Sequence, residues 1–263
     1  MKSVLDFARA WRERKPVTLV TAYDVLMARL VAASDIDAIL VGDSVAMVVH
    51  GFPSTVHATL EMMTMHTAAV RRGAPDTFIV ADMPFLSVRR GLDRALGAAG
   101  ALLQAGANAV KVEGVRGHEA VIERLVESGI PVMGHLGLTP QAVHQLGGYR
   151  LQGRTAAQAR KLRTDAETLA GLGVFAVVLE CIPATLAKKL TKVLPMPTIG
   201  IGAGPHVGGQ VLVLSDVLGL DADFQPKFAR RYLAGHAEVL RALNAFVADV
   251  TAARFPAPEE VIA

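Results

Sequence analysis

Cysteine is nearly absent: the 263-residue chain has one, Cys181. A disulfide framework within the chain is therefore excluded, and the composition fits a reducing compartment. Long apolar runs are missing as well. No stretch approaches the roughly 18 to 20 residues that a spanning helix needs, although hydrophobic residues make up 52% of the chain. The opening MKSVLDFARAWRERK holds no apolar h-region and no small-residue cleavage site, so it does not read as a secretory signal. A soluble, cytoplasmic protein without a membrane partner is the expectation. Charge of one sign is also scarce. The formal net charge is +3. The basic pairs Arg71 and Arg72, Arg89 and Arg90, Lys188 and Lys189, and Arg230 and Arg231 are scattered along helical segments. A nucleic-acid partner calls for a basic face or stripe, which this pattern does not supply.

What the chain does have is a period. An amphipathic helix over residues 1–15, with Leu5, Ala8 and Trp11 at helical spacing, precedes the first strand and is expected to cap one end of the fold. Apolar strands are predicted at 17–21, 38–41, 77–81, 109–112, 131–134, 175–179, 198–201 and 211–214. Helical patterns follow at 23–33, 59–72, 92–105, 117–128, 155–172, 183–194 and 227–250. The strands are apolar throughout rather than alternating, as strands covered on both faces must be. Eight such units within a length typical of one barrel predict an α/β fold of the (β/α)8 TIM-barrel class, as a single domain over residues 1–263. The connection between 204 and 211 is short for a crossover helix.

In a parallel barrel the chemistry sits at the C-terminal ends of the strands. The polar residues there are Asp24, Asp43 with Ser44, Asp82, Lys111 with Glu113, His135, and Glu180. So many carboxylates cannot share one mouth in ionised form without a counter-charge. Asp43, Asp82 and Glu113 follow consecutive strands and offer only oxygen, which suits Mg²⁺ or another hard cation. Read singly, such an acid is more often an N-cap of the following helix; three on consecutive strands beside a lysine weigh against that reading. Lys111 is either a point charge for a substrate carboxylate or a structural partner of Asp82 or Glu113. His135 either meets a substrate or satisfies a turn. Glu180, between Leu179 and Cys181, is expected to be partly desolvated, which lifts a carboxyl toward the range of a general base; the alternative is a core glutamate held by backbone donors. Cys181 reads as a small buried residue rather than a nucleophile. The run Ile199-Gly200-Ile201-Gly202-Ala203-Gly204 either cradles an anion or allows close backbone approach.

The segments VGDSVAM, VRRGAPDTFIVADMPF, NAVKVEG, GHLGLTPQ, GGYRLQGR, VLECIP and IGIGAG resemble, in order and spacing, the ketopantoate hydroxymethyltransferases (3-methyl-2-oxobutanoate hydroxymethyltransferases). The likeness runs over roughly residues 3 to 250. It implies a barrel similar to the phosphoenolpyruvate/pyruvate enzymes. It implies Mg²⁺-dependent transfer of a hydroxymethyl group from 5,10-methylenetetrahydrofolate to 3-methyl-2-oxobutanoate, giving ketopantoate on the way to pantothenate. It also implies a homo-oligomer, a decamer. Carried over by motif, Asp43 and Asp82 bind the metal, and Glu113 completes its shell directly or through water. Ser44, Lys111 and His135, with Asp43 and Asp82, hold the oxo acid, and Glu180 accepts the proton. The chain departs from the usual pattern at Gly208, at Ser215 and at Ala46. A related lyase or mutase is the enzymatic rival, but this chain lacks the cysteine loop that such barrels commonly carry. A silent scaffold barrel is the other rival, and it predicts a degraded mouth.

Overall fold

A computed structural model of the chain describes residues 3–262. The chain divides into two compact units, residues 1–212 and 213–263.

The first unit opens with α1 (Val4–Arg12) and continues into eight parallel strands that close on themselves in sequence order. They are β1 (Val17–Thr21), β2 (Ala38–Val41), β3 (Phe78–Asp82), β4 (Ala109–Glu113), β5 (Val132–Gly137), β6 (Ala176–Glu180), β7 (Thr198–Ile201) and β8 (Gly209–Leu212). The connections carry α2 (Val25–Ala32), α3 (Val45–Val48), α4 (Leu60–Gly73), α5 (Leu92–Gln104), α6 (Glu119–Glu127), α7 (Val143–Leu146), α8 (Ala156–Gly171) and α9 (Ala184–Val193). Residues 202–208 join β7 to β8 without a helix. Helix α8 starts where the sequence places its cap. Thr155 accepts from the Gln158 amide at 3.2 Å while the Gln158 side chain accepts from the Thr155 amide at 3.1 Å, a reciprocal pair worth about 0.5–2 kcal/mol.

The barrel interior is a packed core. Leu19, Leu40, Val80, Met133, Val178, Ile199 and Val211 belong to one buried cluster. Phe7 of α1 joins it. Its ring lies 5.2 Å from those of both Phe78 and Phe175, which stand at the N-terminal ends of β3 and β6. Burial of such a side chain contributes about 1.5–3 kcal/mol. Helix α1 thus plugs the N-terminal end of the barrel, as its amphipathic pattern suggested, and leaves the other end for chemistry.

Strand β8 begins two residues earlier than its apolar run implies. Its first residue, Gly209, pairs with Val17, and a Cβ there would meet the Val17 carbonyl oxygen at 2.3 Å. A glycine that reads as loop is what lets β8 approach β1 and close the barrel. Leu214, expected in that strand, opens a helix of the second unit instead.

The second unit contains α10 (Leu214–Leu218), α11 (Gly235–Thr251) and a single 3₁₀ turn at Pro258–Glu260. Its long helix is shorter than the 227–250 expected. Residues 227–234 are not helical because they close a loop. The Arg231 guanidinium donates to the carbonyls of Asp221 at 2.7 Å and Phe224 at 3.1 Å, and the Tyr232 amide bonds the Val217 carbonyl at 2.8 Å.

Candidate active site

The register of the barrel sets the site. Asp82 pairs with Lys111, Glu113 with His135, and Gly137 with Glu180. Neighbouring strands lie about 4.8 Å apart, so the Asp82 side chain is in reach of Lys111 and that of Glu113 in reach of His135. Asp43 stands two residues beyond β2, and its amide donates to Asp82 Oδ2 at 3.0 Å. Asp43, Asp82, Lys111 and His135 are all buried. The Glu113 side chain is 6% exposed and that of Glu180 14%.

Contacts chain these groups together. Lys111 Nζ lies 3.0 Å from Asp82 Oδ1 and donates to His135 Nδ1 at 3.0 Å. With Nδ1 accepting, the neutral imidazole carries its proton on Nε2, which faces Glu180 Oε2 at 3.2 Å without forming an aligned hydrogen bond. Glu113 Oε1 comes no nearer than 3.6 Å to His135 Nδ1 and has no hydrogen bond.

The electrostatics follow from burial. Asp43 is pushed up to about 7 by desolvation and then by the Asp82 carboxylate, against the pull of Lys111 and the Gln141 amide. Glu113 is raised well above the ordinary carboxyl range by burial and then by Asp43. Glu180 is raised to about 7 by burial, with Lys111 opposing. Burial and then Lys111 hold His135 well below the usual imidazole value, so it is neutral. Burial works against the Lys111 ammonium, but Asp82, Glu113 and Asp43 together outweigh it and raise its pKa. Four carboxyl groups therefore share one buried cation.

That imbalance tests the fit of a metal. Among the described residues, no three carboxylate, imidazole or thiol groups are gathered as a ready-made shell. Mg²⁺ does not demand one, since it commonly takes one or two carboxylates and fills its octahedron with water and substrate oxygens. Glu113 Oε1 is buried without a hydrogen bond, Asp82 Oδ1 is met by the Lys111 ammonium at 3.0 Å, and the donor set is all oxygen. These residues fit a hard divalent cation.

Ser44 lies beside Asp43 and exchanges a 2.8 Å hydrogen bond with the Tyr23 hydroxyl. A Cβ on Gly42 would meet Ser44 Oγ at 2.8 Å and Asp82 Oδ2 at 3.6 Å, so the absent side chain leaves these groups their room. Gly137 is required for a similar reason. Its φ is +99°, and a Cβ would strike the Glu180 carbonyl oxygen at 2.1 Å. Immediately after Glu180, Cys181 holds a left-handed φ of +45°, a conformation costing of order 1–3 kcal/mol off glycine. The turn carries the chain away from the mouth while Glu180 stays at the strand end. The Cys181 thiol is raised to about 11 by burial and by the Glu180 carboxylate, which leaves it protonated and a poor nucleophile near neutral pH.

A sequence profile described as ketopantoate hydroxymethyltransferase matches residues 2–258. The chain belongs to this family. It is 48% identical over 260 residues to the 3-methyl-2-oxobutanoate hydroxymethyltransferase of Bdellovibrio bacteriovorus, with 99% of each chain covered. It is 50% identical over 255 residues to that of Legionella pneumophila, with 97% of each covered. In fold it is similar to 2,3-dimethylmalate lyase, a PEP mutase/isocitrate lyase superfamily member, at a TM-score of 0.60 and 15% identity, covering 100% of this chain and 92% of that one. A ketopantoate hydroxymethyltransferase forms ketopantoate, and in this family member the strand ends gather Asp43, Asp82, Lys111, Glu113, His135 and Glu180.

Two residues escape the sequence reading. Gln141, in the 3₁₀ turn after β5, donates from Nε2 to Asp43 Oδ2 at 2.8 Å and to the Met83 carbonyl at 3.0 Å, and its amide bonds Glu113 Oε2 at 3.0 Å. It closes the segment GHLGLTPQ, which was the available signal. Tyr23 had none, since it sits at the start of a helical pattern. Asp24, by contrast, leaves the cluster. Its carboxylate caps α2, accepting from the amides of Leu26 at 2.8 Å and Met27 at 2.9 Å. The glycine run after β7 has a packing role. A Cβ on Gly204 would meet Ala184 Cβ at 2.5 Å, so the run lets the chain pass close under the first turn of α9. At Gly208, one of the departures from the family pattern, a Cβ would meet the Trp11 ring at 2.8 Å.

Proposed function

We propose that the chain transfers a hydroxymethyl group from 5,10-methylenetetrahydrofolate to 3-methyl-2-oxobutanoate in a Mg²⁺-dependent reaction. The observation that carries this reading is four carboxyl groups, two buried and two partly buried, gathered around one buried lysine, in a chain of this family. Asp43 and Asp82 would hold the cation, with Glu113 completing its surroundings directly or through water. When bound, Mg²⁺ supplies Lewis-acid stabilisation of negative charge on the keto oxygen of the oxo acid.

The chain's own groups do the rest. Lys111, kept charged by its carboxylate neighbours, attracts the substrate carboxylate, and Ser44 offers a hydroxyl beside it. Glu180 removes the proton from C3. Its pKa of about 7 makes it a stronger base than an exposed glutamate while leaving a large fraction ionised at neutral pH. Neutral His135 turns its Nε2–H toward Glu180 and its Nδ1 toward Lys111, so it orients the base without adding charge. The C3–H bond breaks and its proton goes to Glu180. Water cleaves both C–N bonds of the one-carbon unit, its two hydrogens going to the two nitrogens of the departing tetrahydrofolate. C3 bonds to the released formaldehyde-level carbon, whose oxygen, drawn from water, takes the proton back from Glu180 as the new hydroxyl. Cytoplasmic residence and assembly as a homodecamer belong to the same proposal and rest on the family likeness; sedimentation at the monomer mass would contradict the assembly.

The test is direct. The purified chain, given Mg²⁺ and both substrates, is expected to form ketopantoate, to stop on chelation and to restart when Mg²⁺ is restored. No ketopantoate from folded protein in the presence of Mg²⁺ overturns the reading.

A further inference from the structure

A cavity of about 620 Å³ opens between the loop after β2 and the loop after β5, lined among others by Ser54, His57, Val143, His144, Gly148 and Tyr149. Its size is that of a small-molecule site, and nothing in the chemistry derived above uses it. It adjoins the acid cluster through both walls. Val143 and His144 follow Gln141, the residue that holds Asp43 and Glu113. The Tyr149 hydroxyl donates to Met47 Sδ at 3.4 Å, three residues after Ser44. The phenol is raised by burial and then by the charges of Glu180, Asp43 and Glu113, which sets its ring within their field.

We propose that this cavity seats the one-carbon carrier, a reduced pterin with an aromatic arm and an acidic tail; the inference rests on the function proposed above. The oxo acid is small and anionic, and no carboxylate or buried cation lines this space. Flat surfaces do. The His57 ring lies parallel to Phe52, with an interplanar angle of 5° and centroids 4.9 Å apart, and Tyr149 stands on the opposite loop with 56% of its surface exposed. An exposed tyrosine ring at the lip of a cavity is a stacking surface for a planar heterocycle. At the rim, the exposed Arg150 guanidinium lies over Gly147, 3.8 Å from where a Cβ would stand, and offers a cation to an acidic tail. A carrier held here has its one-carbon unit beside the strand ends where C3 of the oxo acid must react.

The test uses Tyr149→Ala and Arg150→Glu, both at exposed positions where substitutions seldom disturb folding. Binding of tetrahydrofolate is read by calorimetry, and the half-saturating concentrations of both substrates by steady-state kinetics. Each variant is expected to weaken tetrahydrofolate about tenfold, with a much smaller change for 3-methyl-2-oxobutanoate. A tetrahydropterin lacking the glutamate tail should respond to Tyr149→Ala and not to Arg150→Glu. Unchanged tetrahydrofolate binding in both variants, with ketopantoate formed by the wild type, overturns the assignment of the cavity. A wild type that binds tetrahydrofolate in a Tyr149-dependent way but makes no ketopantoate supports the cavity and removes the reaction instead.

Discussion

Glu180→Gln is expected to slow exchange of the C3 proton of 3-methyl-2-oxobutanoate into heavy water by about 10²–10⁴-fold, the usual contribution of a positioned general base. The amide keeps the size and the polar contact with His135 but cannot take a proton. Exchange needs no folate, so proton NMR isolates this step from transfer. Mg²⁺ affinity should change little, because Glu180 stands at the end of β6 while Asp43 and Asp82 follow β2 and β3. The pH profile gives the sign. Glu180 must be a carboxylate to act, and burial lifts it to about 7. Exchange by the wild type should therefore fall about tenfold per pH unit below about 7 and level off above it. Asp43 also titrates near 7 in the metal-free chain, but bound Mg²⁺ would hold it ionised far below that. The acid limb should vanish in the glutamine variant. Exchange at the wild-type rate in that variant would falsify the assignment of the base.

Lys111→Met is expected to have the largest effect on the protein itself. Lys111 is a buried cation among four buried or partly buried carboxyl groups, 3.0 Å from Asp82 Oδ1. Removing one member of a buried pair leaves its partner uncompensated and costs about 3–5 kcal/mol. The loss should be greatest above neutral pH, where the carboxyl groups are ionised, and smaller in acid, where protonation relieves them. Binding of the oxo acid should weaken as well, since the substrate carboxylate loses its point charge. Arginine is no substitute here, because its planar fork needs space that the packed strand end does not offer. Urea melts at pH 6 and pH 8 measure the first effect and calorimetry with the oxo acid the second. Equal stability of variant and wild type at pH 8 would show that the carboxyl cluster does not need the lysine.

The acids were legible because each terminates a buried apolar run. Chains such as Ala38 to Val41 or Phe78 to Ala81 have one physical reading, a strand covered on both faces, and the first polar residue after it must lie at the rim. Periodicity therefore fixed the strand ends at β2, β3, β4 and β6 closely enough to place Asp43, Asp82, Glu113 and Glu180. It could not separate a ligand from a cap. Asp24 follows its strand as Asp43 does, yet the helix after it starts at once and consumes both carboxylate contacts in amide bonds. Gln141 was hidden because a neutral amide in a long loop has neither period nor charge. Its importance is a property of three contacts to residues far away in sequence. The same limit applies at Gly209, where a strand is set by a partner backbone and not by its own side chains.

His135 shows how structure turns a residue type into a role. From sequence it was a histidine near a turn. Buried between Lys111 and Glu180, it is held neutral and in one tautomer, which makes it a link between those two side chains rather than a second acid.

Where the cation and the oxo acid bind decides the proposed chemistry most directly. A crystal of the chain soaked with Mg²⁺ and 3-methyl-2-oxobutanoate is predicted to hold the ion at the Asp43 and Asp82 carboxylates, the substrate carboxylate toward Ser44 and Lys111, and C3 facing Glu180. Density for the ion or the oxo acid elsewhere, or C3 turned away from Glu180, would contradict it.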